Sequence, residues 1–205
     1  MKNIFLVSAI LCTFQMSIAH AKAAPKAEVA PAGFEIDKAH SRIGFTIRHL
    51  GISKVSGEFR DFDAKIDADS KTGHIKALAG TVKIASINTG IEKRDEHLRA
   101  ADFFDAQVFP MGSLKVKSIK ITDSSVTAVA DLTLKGITRE VTFEGEFLGV
   151  RMVNFGSKQM RAGYSVSAKI NRQDFGLKFS QLAEGVAILG DEVTIHIDAE
   201  IMRPL

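Results

Sequence analysis

Tryptophan is absent from the chain and tyrosine occurs once. A strand-rich protein that spans an outer membrane builds girdles of Trp and Tyr at both interfaces, so this inventory argues against that class. Cysteine is nearly absent: Cys12 stands alone, inside an N-terminal apolar run, and disulfides cannot stabilise the remainder of the chain. Charge of one sign is not in excess either. Lys and Arg number 27 against 24 Asp and Glu, a formal net charge of +3, with the two signs interspersed. A basic stripe interleaved with stacking aromatics is missing, so no nucleic-acid partner is expected. Internal repeats and low-complexity tracts are missing after Gly33.

The first segment, MKNIFLVSAILCTFQMSIAHA, has Lys2, an apolar run from Ile4 to Ile18, and small residues at Ala19 and Ala21. That is the layout of a secretory signal peptide, placed at residues 1–21. Leu11 before Cys12 does not suit lipidation, which needs a small residue there. Residues 22–33, rich in Ala, Pro and Lys, read as a flexible leader, and residues 34–205 as one domain. The expected compartment is the periplasm, with no stable membrane insertion.

Within that domain the hydrophobic period is two. Val193, Ile195, Ile197, Ala199 and Ile201 share one face; Thr194, His196, Asp198 and Glu200 share the other. The same alternation runs through RAGYSVSAKI, REVTFEGEF, SVTAVADLTL, RIGFTIRH, GEFRDFDAKI, HIKALAGTVKI and GSLKVKSIKI. Eight such segments, separated by Gly, Asp and Ser clusters, predict an antiparallel meander, with LKGITR as a hairpin turn. To hide its edges the meander must close into a barrel or stack into a sandwich.

Phenylalanine is the abundant aromatic. With Phe5 and Phe14 in the signal peptide, twelve of the fourteen remain. Phe has no polar handle and suits a dry interior. Small residues on the apolar faces (Gly80, Ala128, Ala130, Gly145, Ala162, Ala168) are compatible with interdigitated packing or with a bore that holds a ligand.

One stretch breaks the strand pattern: TGIEKRDEHLRAADFFDAQVFP, Thr89 to Pro110, with seven charges between Glu92 and Asp102. Thr89 and Glu92 have capping-box spacing, predicting a helix from Gly90. Ile91, Arg94 or Asp95, and Leu98 fall on one side of it; Glu92, Lys93, Glu96 and Arg99 fall largely on the other. Asp95 and Arg99 form a favourable (i, i+4) pair in this scheme. A single helical insertion in a meander is placed to close one end, with Leu98, Phe103 and Phe104 pointing inward.

These residues resemble a known family. IDKAHSRIGFTIRHLGISKVSGEF, with His40, Ser41, Phe45, His49 and Gly51, is similar to the opening strands of the YceI-like family of periplasmic polyisoprenoid-binding proteins. The Thr89–Pro110 stretch, with Arg94-Asp95, His97-Leu98 and Asp102-Phe103-Phe104, resembles its most specific signature; LTLKGITREVTF and INRQDFGL complete the likeness. Phe34 stands where the family often has Tyr. The resemblance spans nearly all of Phe34 to Met202. It implies an all-β, extended eight-stranded antiparallel lipocalin-like barrel, with a long isoprenoid chain in its bore.

The expected bore residues are Phe45, Ile47, Leu98, Phe103, Phe104, Leu132, Phe143, Val166, Phe175 and Phe179. The expected polar rim or head-group set is His40, Ser41, His49, Arg94, Asp95 and His97, with Arg94 and Asp95 as an internal ion pair and His49 in their network. A hydrolase built on Asp37, His40 and Ser41 is disfavoured, because neighbours on a strand point to opposite faces. The spacing of His40, His49 and His97 matches no metal motif. The expectation is a non-enzymatic carrier or sequestering protein, monomeric or homodimeric, with no cofactor beyond a bound isoprenoid lipid such as a prenyl quinone, its precursor or a polyprenol. The alternative is a binder of fatty acids or amides, or a stress-response module that docks a protein partner.

Overall fold

The computed structural model describes residues 33–183 and 185–205. The predicted signal peptide, and the leader apart from Gly33, lie outside the described residues. In chain order the elements are β1 (Glu35–Ile36), β2 (Arg42–His49), β3 (Ser53–Phe59), β4 (Phe62–Ala68), β5 (Ile75–Lys83), a 3-10 turn (Ile84–Ser86), β6 (Ile87–Asn88) and α1 (Glu92–Arg99). Then come β7 (Met111–Thr122), β8 (Ser125–Leu134), β9 (Ile137–Asn154), β10 (Lys158–Asn171), a 3-10 turn (Arg172–Phe175), β11 (Leu182–Ala183), β12 (Val186–Ala187) and β13 (Leu189–Pro204).

The strands form one antiparallel sheet in the order β4-β5-β7-β8-β9-β10-β13-β2-β3-β6, with β1 added against β13 and β11-β12 as a separate hairpin. The sheet curls until its ends approach. Its seam is no continuous ladder: β1 pairs with β13, and the adjoining Phe34 makes an isolated bridge to Ile66 of β4. At the other end of the seam, Arg60 N donates to Ser86 O and Lys83 N to Asp61 O. GEFRDFDAKI, expected as one strand, breaks at Arg60–Asp61 into β3 and β4, which occupy opposite regions of the sheet path. The break lets both Phe59 and Phe62 face inward, which an unbroken strand forbids because they differ in parity.

The turn after β8 holds Lys135 and Gly136 at φ 49° and 73°, both left-handed, as a two-residue hairpin requires. Bulges settle parity elsewhere. Across β7 and β8 the register passes from Val116↔Ala130 to Ser118↔Val129, leaving Lys117 unpaired. Leu114, Val116 and Ile119 therefore all turn inward. In β9 Leu148 is the extra residue; it is thrown outward (63% exposed) while Phe147 and Val150 both pack against the core. Gly145 has a different reason to be glycine: a Cβ there would lie 2.1 Å from Ser165 O on β10. It permits a close backbone approach and adds no room to the bore.

Two buried clusters occupy the interior. Phe34, Ile66, Ile75, Met160, Tyr164 and Ile201 plug the end where β1 seals the seam. Ala130, Leu134, Val141, Phe143, Ile170 and Phe175 belong to the second cluster, toward the other end.

Candidate functional site: an apolar bore with an aromatic cap

A cavity of about 480 Å³ runs through the interior. On β13 its wall is Val193, Ile195, Ile197 and Ala199; on β8 it is Val126, Ala128, Leu132 and Leu134. The face that alternation marked as apolar is thus the inner one, and His196 and Asp198 lie outside. Gly80 and Ala128 contribute open wall, as small residues can.

At the plugged end the one polar wall group is already satisfied. Tyr164 Oη donates to Gly73 O (2.6 Å) and accepts from Ile75 N (3.1 Å), and burial pushes its phenol up to about 12. Among the described residues no buried side-chain N or O lacks a hydrogen-bond partner. At this end the bore therefore asks for nothing polar from an occupant.

The other end is capped by aromatic rings. Phe103 stacks on Phe179 at 4.6 Å, and the His97 ring stands edge-on to both, at 4.9 and 5.1 Å. Phe104 meets Phe59 edge-to-face at 5.9 Å, and Phe59 leans on Phe45 at 6.0 Å. His97 Nε2 is fixed by Asp102 Oδ2 at 2.5 Å, and Lys135 Nζ donates to the carbonyls of Ala101 and Phe103. The helical insertion does close one end, with Leu98, Phe103 and Phe104 in the wall.

Its anchoring differs from the capping-box expectation. The N-cap of α1 is Ile91, with no side-chain cap, and Ile91 is exposed. Thr89 instead serves as a post gripped from inside the helix. Buried Asp95 accepts from Thr89 N and Thr89 Oγ1, while Arg94 donates to Thr89 Oγ1 (2.7 Å) and Thr89 O (2.8 Å). Arg94 and Asp95 are not an ion pair; both reach back to one residue. Nor does Asp95 pair with Arg99, which binds Glu92 at 2.7 Å. The ring of His49 joins neither group and faces the cavity.

Of the ten expected bore residues, Phe45, Ile47, Leu98, Phe103, Phe104, Leu132, Phe143, Val166 and Phe179 line the cavity. Phe175 does not: it is 1% exposed and packed in the second cluster, because the 3-10 turn directs it between strands. Of the rim set, His49, Arg94 and His97 line the cavity. Asp95 is buried beneath α1. His40 and Ser41 belong to the plugged end, since β2 starts beside them and reaches the mouth only at His49, about 24 Å of strand later.

There they form part of a clasp. His40 Nδ1 lies 3.0 Å from Asp37 Oδ2, and Ser41 Oγ accepts from Glu200 N at 2.9 Å. Arg161 Nη1 bridges Asp37 Oδ2 (2.6 Å) and Glu200 Oε1. Burial pushes the Asp37 carboxyl up, but hydrogen bonds from His40, Arg161 and Ala39 outweigh it and hold the group down at about 2. Asp37, His40 and Glu200 are close enough to hold a cation together, yet the guanidinium already stands between the two carboxylates. The group ties the segment after β1 to β10 and β13.

Arg172 escaped the sequence reading. Only 3% exposed, it lines the cavity and donates to Gly190 O (2.9 Å), Leu177 O and Phe179 O (2.8 Å), with Asp191 at 2.9 Å. It holds the segment that carries Phe179 against the start of β13. The available signal was an Arg immediately after a strand, in the polar run of INRQDFGL.

Comparison with known proteins agrees with this architecture. The model of the YceI-like domain matches residues 34–201. A UPF0312 protein of Staphylococcus aureus strain N315 is 39% identical over 168 residues, covering 82% of this chain and 95% of that protein. The crystal structure of a Campylobacter jejuni YCEI protein superposes with a TM-score of 0.65 at 29% identity, covering 93% of this chain and 97% of the other. A Saccharophagus degradans domain, described as polyisoprenoid binding and implicated in plant cell wall breakdown, shares the fold. Its TM-score is 0.61 at 14% identity, over 84% of this chain and 99% of that one. A chain with this plugged, aromatic-capped barrel and a family match from Phe34 to Ile201 belongs to the YceI-like family.

Proposed function

We propose that the protein binds a long isoprenoid lipid in its bore and acts by sequestration, without chemistry. The export signal read in residues 1–21 supports a periplasmic setting for this activity. The observation that carries the proposal is the bore itself: one end plugged, the walls largely apolar, the Tyr164 hydroxyl at the plugged end satisfied from within. From Val126 to Leu132 the lining follows about 20 Å of strand. An extended covalent chain advances roughly 1.2 Å per bond, so about sixteen chain carbons, four isoprene units, fit before the tail must fold or emerge.

Burial of sixteen carbons is worth about 13 kcal/mol gross at ~0.8 each. Association and ordering cost at least about 4 kcal/mol, leaving a Kd on the order of 10⁻⁷ M at best. The proposed contacts are the nine wall residues named above. A quinone ring or phosphate head stays at the mouth, beside His49, Arg94 and His97.

The test is to purify the protein without detergent, extract it with organic solvent and weigh the extract by mass spectrometry. A prenyl lipid at near-stoichiometric yield is the expected result. An empty extract, together with no binding of added quinone or polyprenol, overturns the proposal, and a stoichiometric fatty acid or amide replaces the isoprenoid with that ligand.

A further inference from the structure

Two hairpins frame the mouth of the bore. β2 ends at the wall residue His49 and turns through Leu50, Gly51 and Ile52 into β3. The β11–β12 hairpin lies between the wall residues Gln181 and Ile188. The two are joined, since Leu50 N donates to Ile188 O at 2.9 Å and His49 pairs with Leu189. Their tips carry apolar side chains turned to solvent: Ile52 is 87% exposed, Leu182 67% and Val186 50%.

The same segments are basic. Arg48, Lys54 and Lys178 are exposed, and none is in an ion pair among the described residues. Glu184 is the one acidic residue in the sequence of 48–54 and 177–188. Large apolar residues exposed on a turn serve no packing role, and positive charges beside them are the complement of an anionic, apolar-cored surface.

We propose that this rim docks on an anionic lipid bilayer, with Ile52, Leu182 and Val186 entering the headgroup layer and Arg48, Lys54 and Lys178 facing lipid phosphates. The inference rests on the reading of the bore as a lipid site, because it gives that site a direct route for its ligand. Docking is peripheral: three side chains and three charges hold the mouth at the surface without inserting the barrel.

The experiment is co-sedimentation of the full mature protein with vesicles of phosphatidylglycerol and phosphatidylcholine in equal parts, against phosphatidylcholine alone. Binding to the anionic vesicles is expected, falling with salt. Each of Arg48→Gln, Lys54→Gln and Lys178→Gln should weaken it about fivefold. The triple variant Ile52→Ser/Leu182→Ser/Val186→Ser should weaken it at least tenfold with an unchanged Tm. Met152→Ser/Phe155→Ser, at exposed apolar positions on the far hairpin between β9 and β10, should leave binding intact.

No binding to either vesicle overturns the docking, as does binding lost in the far-hairpin variant or kept in the rim triple. A rim that instead pairs two copies, seen as a dimer lost in the triple variant without any vesicle binding, overturns it too. Extraction of the same preparation separates this inference from the function. Lipid in the extract with no vesicle binding removes the docking and leaves sequestration. An empty extract with rim-dependent vesicle binding supports the docking and counts against sequestration.

Discussion

Replacing Gly80 by Leu separates a bore from a packed core, because the two predict opposite signs for stability. Gly80 lies on β5 between Ala64 of β4 and Leu114 of β7, facing the cavity. A Cβ built there meets nothing closer than 3.8 Å. The four added carbons have room and take space from about four ligand carbons. At ~0.8 kcal/mol each the loss is about 3 kcal/mol, a roughly 200-fold rise in Kd. Removing a glycine from a strand interior meanwhile stabilises the ligand-free fold by about 0.5–1 kcal/mol, a Tm rise of a few degrees. The assay is thermal melting of delipidated protein, paired with titration of a prenyl quinone. In a solid core the same insertion would cost about 1–3 kcal/mol and lower Tm. A Tm drop of several degrees with affinity unchanged would refute the bore. Gly145→Ala provides the contrast: its Cβ collides with Ser165 O, so it should destabilise the barrel.

Three further outcomes are expected. Arg172→Met leaves three carbonyls and Asp191 without their shared donor and should lower stability by about 3 kcal/mol, with faster proteolysis between residues 176 and 190 as the local readout. Phe104→Ala removes a half-buried ring whose one aromatic neighbour among the described residues is Phe59, so it should speed lipid release in a transfer assay with a small Tm loss. Phe103→Ala, which removes a buried ring stacked on Phe179, should cost about 3 kcal/mol or more as well as affinity. Asp37 is held near 2 against an ordinary 3.8, so its contribution is complete above pH 4 and is lost as pH falls from about 4 to 2. It amounts to about 2 kcal/mol at most, and Asp37→Asn should flatten the acid limb of the Tm–pH curve; an unaltered limb would show that the clasp is not acid-sensitive.

The mouth and the plugged end were unequally legible. The cap residues Leu98, Phe103 and Phe104 stand in one compact stretch, so a single break in the strand period revealed them. The partners of the clasp, Asp37, Arg161 and Glu200, are scattered along the chain and meet only when β10 pairs with β13 and β1 closes the seam. Sequence order does not say which end of β2 is open, so it fits His40 and Ser41 to the rim as readily as to the plug. Thr89 and Glu92 had capping-box spacing, but the better acceptor was Asp95, whose burial depends on the helix lying across the barrel.

By itself the sequence determined the class and the inner face. Side-chain direction in a strand alternates with period two, so Val193 to Ile201 had to share one side, and a chain with one Tyr and no Trp had no girdle to turn that side toward lipid. Only the tertiary structure decided that the inside is hollow. Whether Gly80 and Ala128 interdigitate with Phe or leave space depends on strand curl, on the bulges at Lys117 and Leu148, and on the break at Arg60–Asp61. Those features set the distance between walls, and periodicity carries no information about distance.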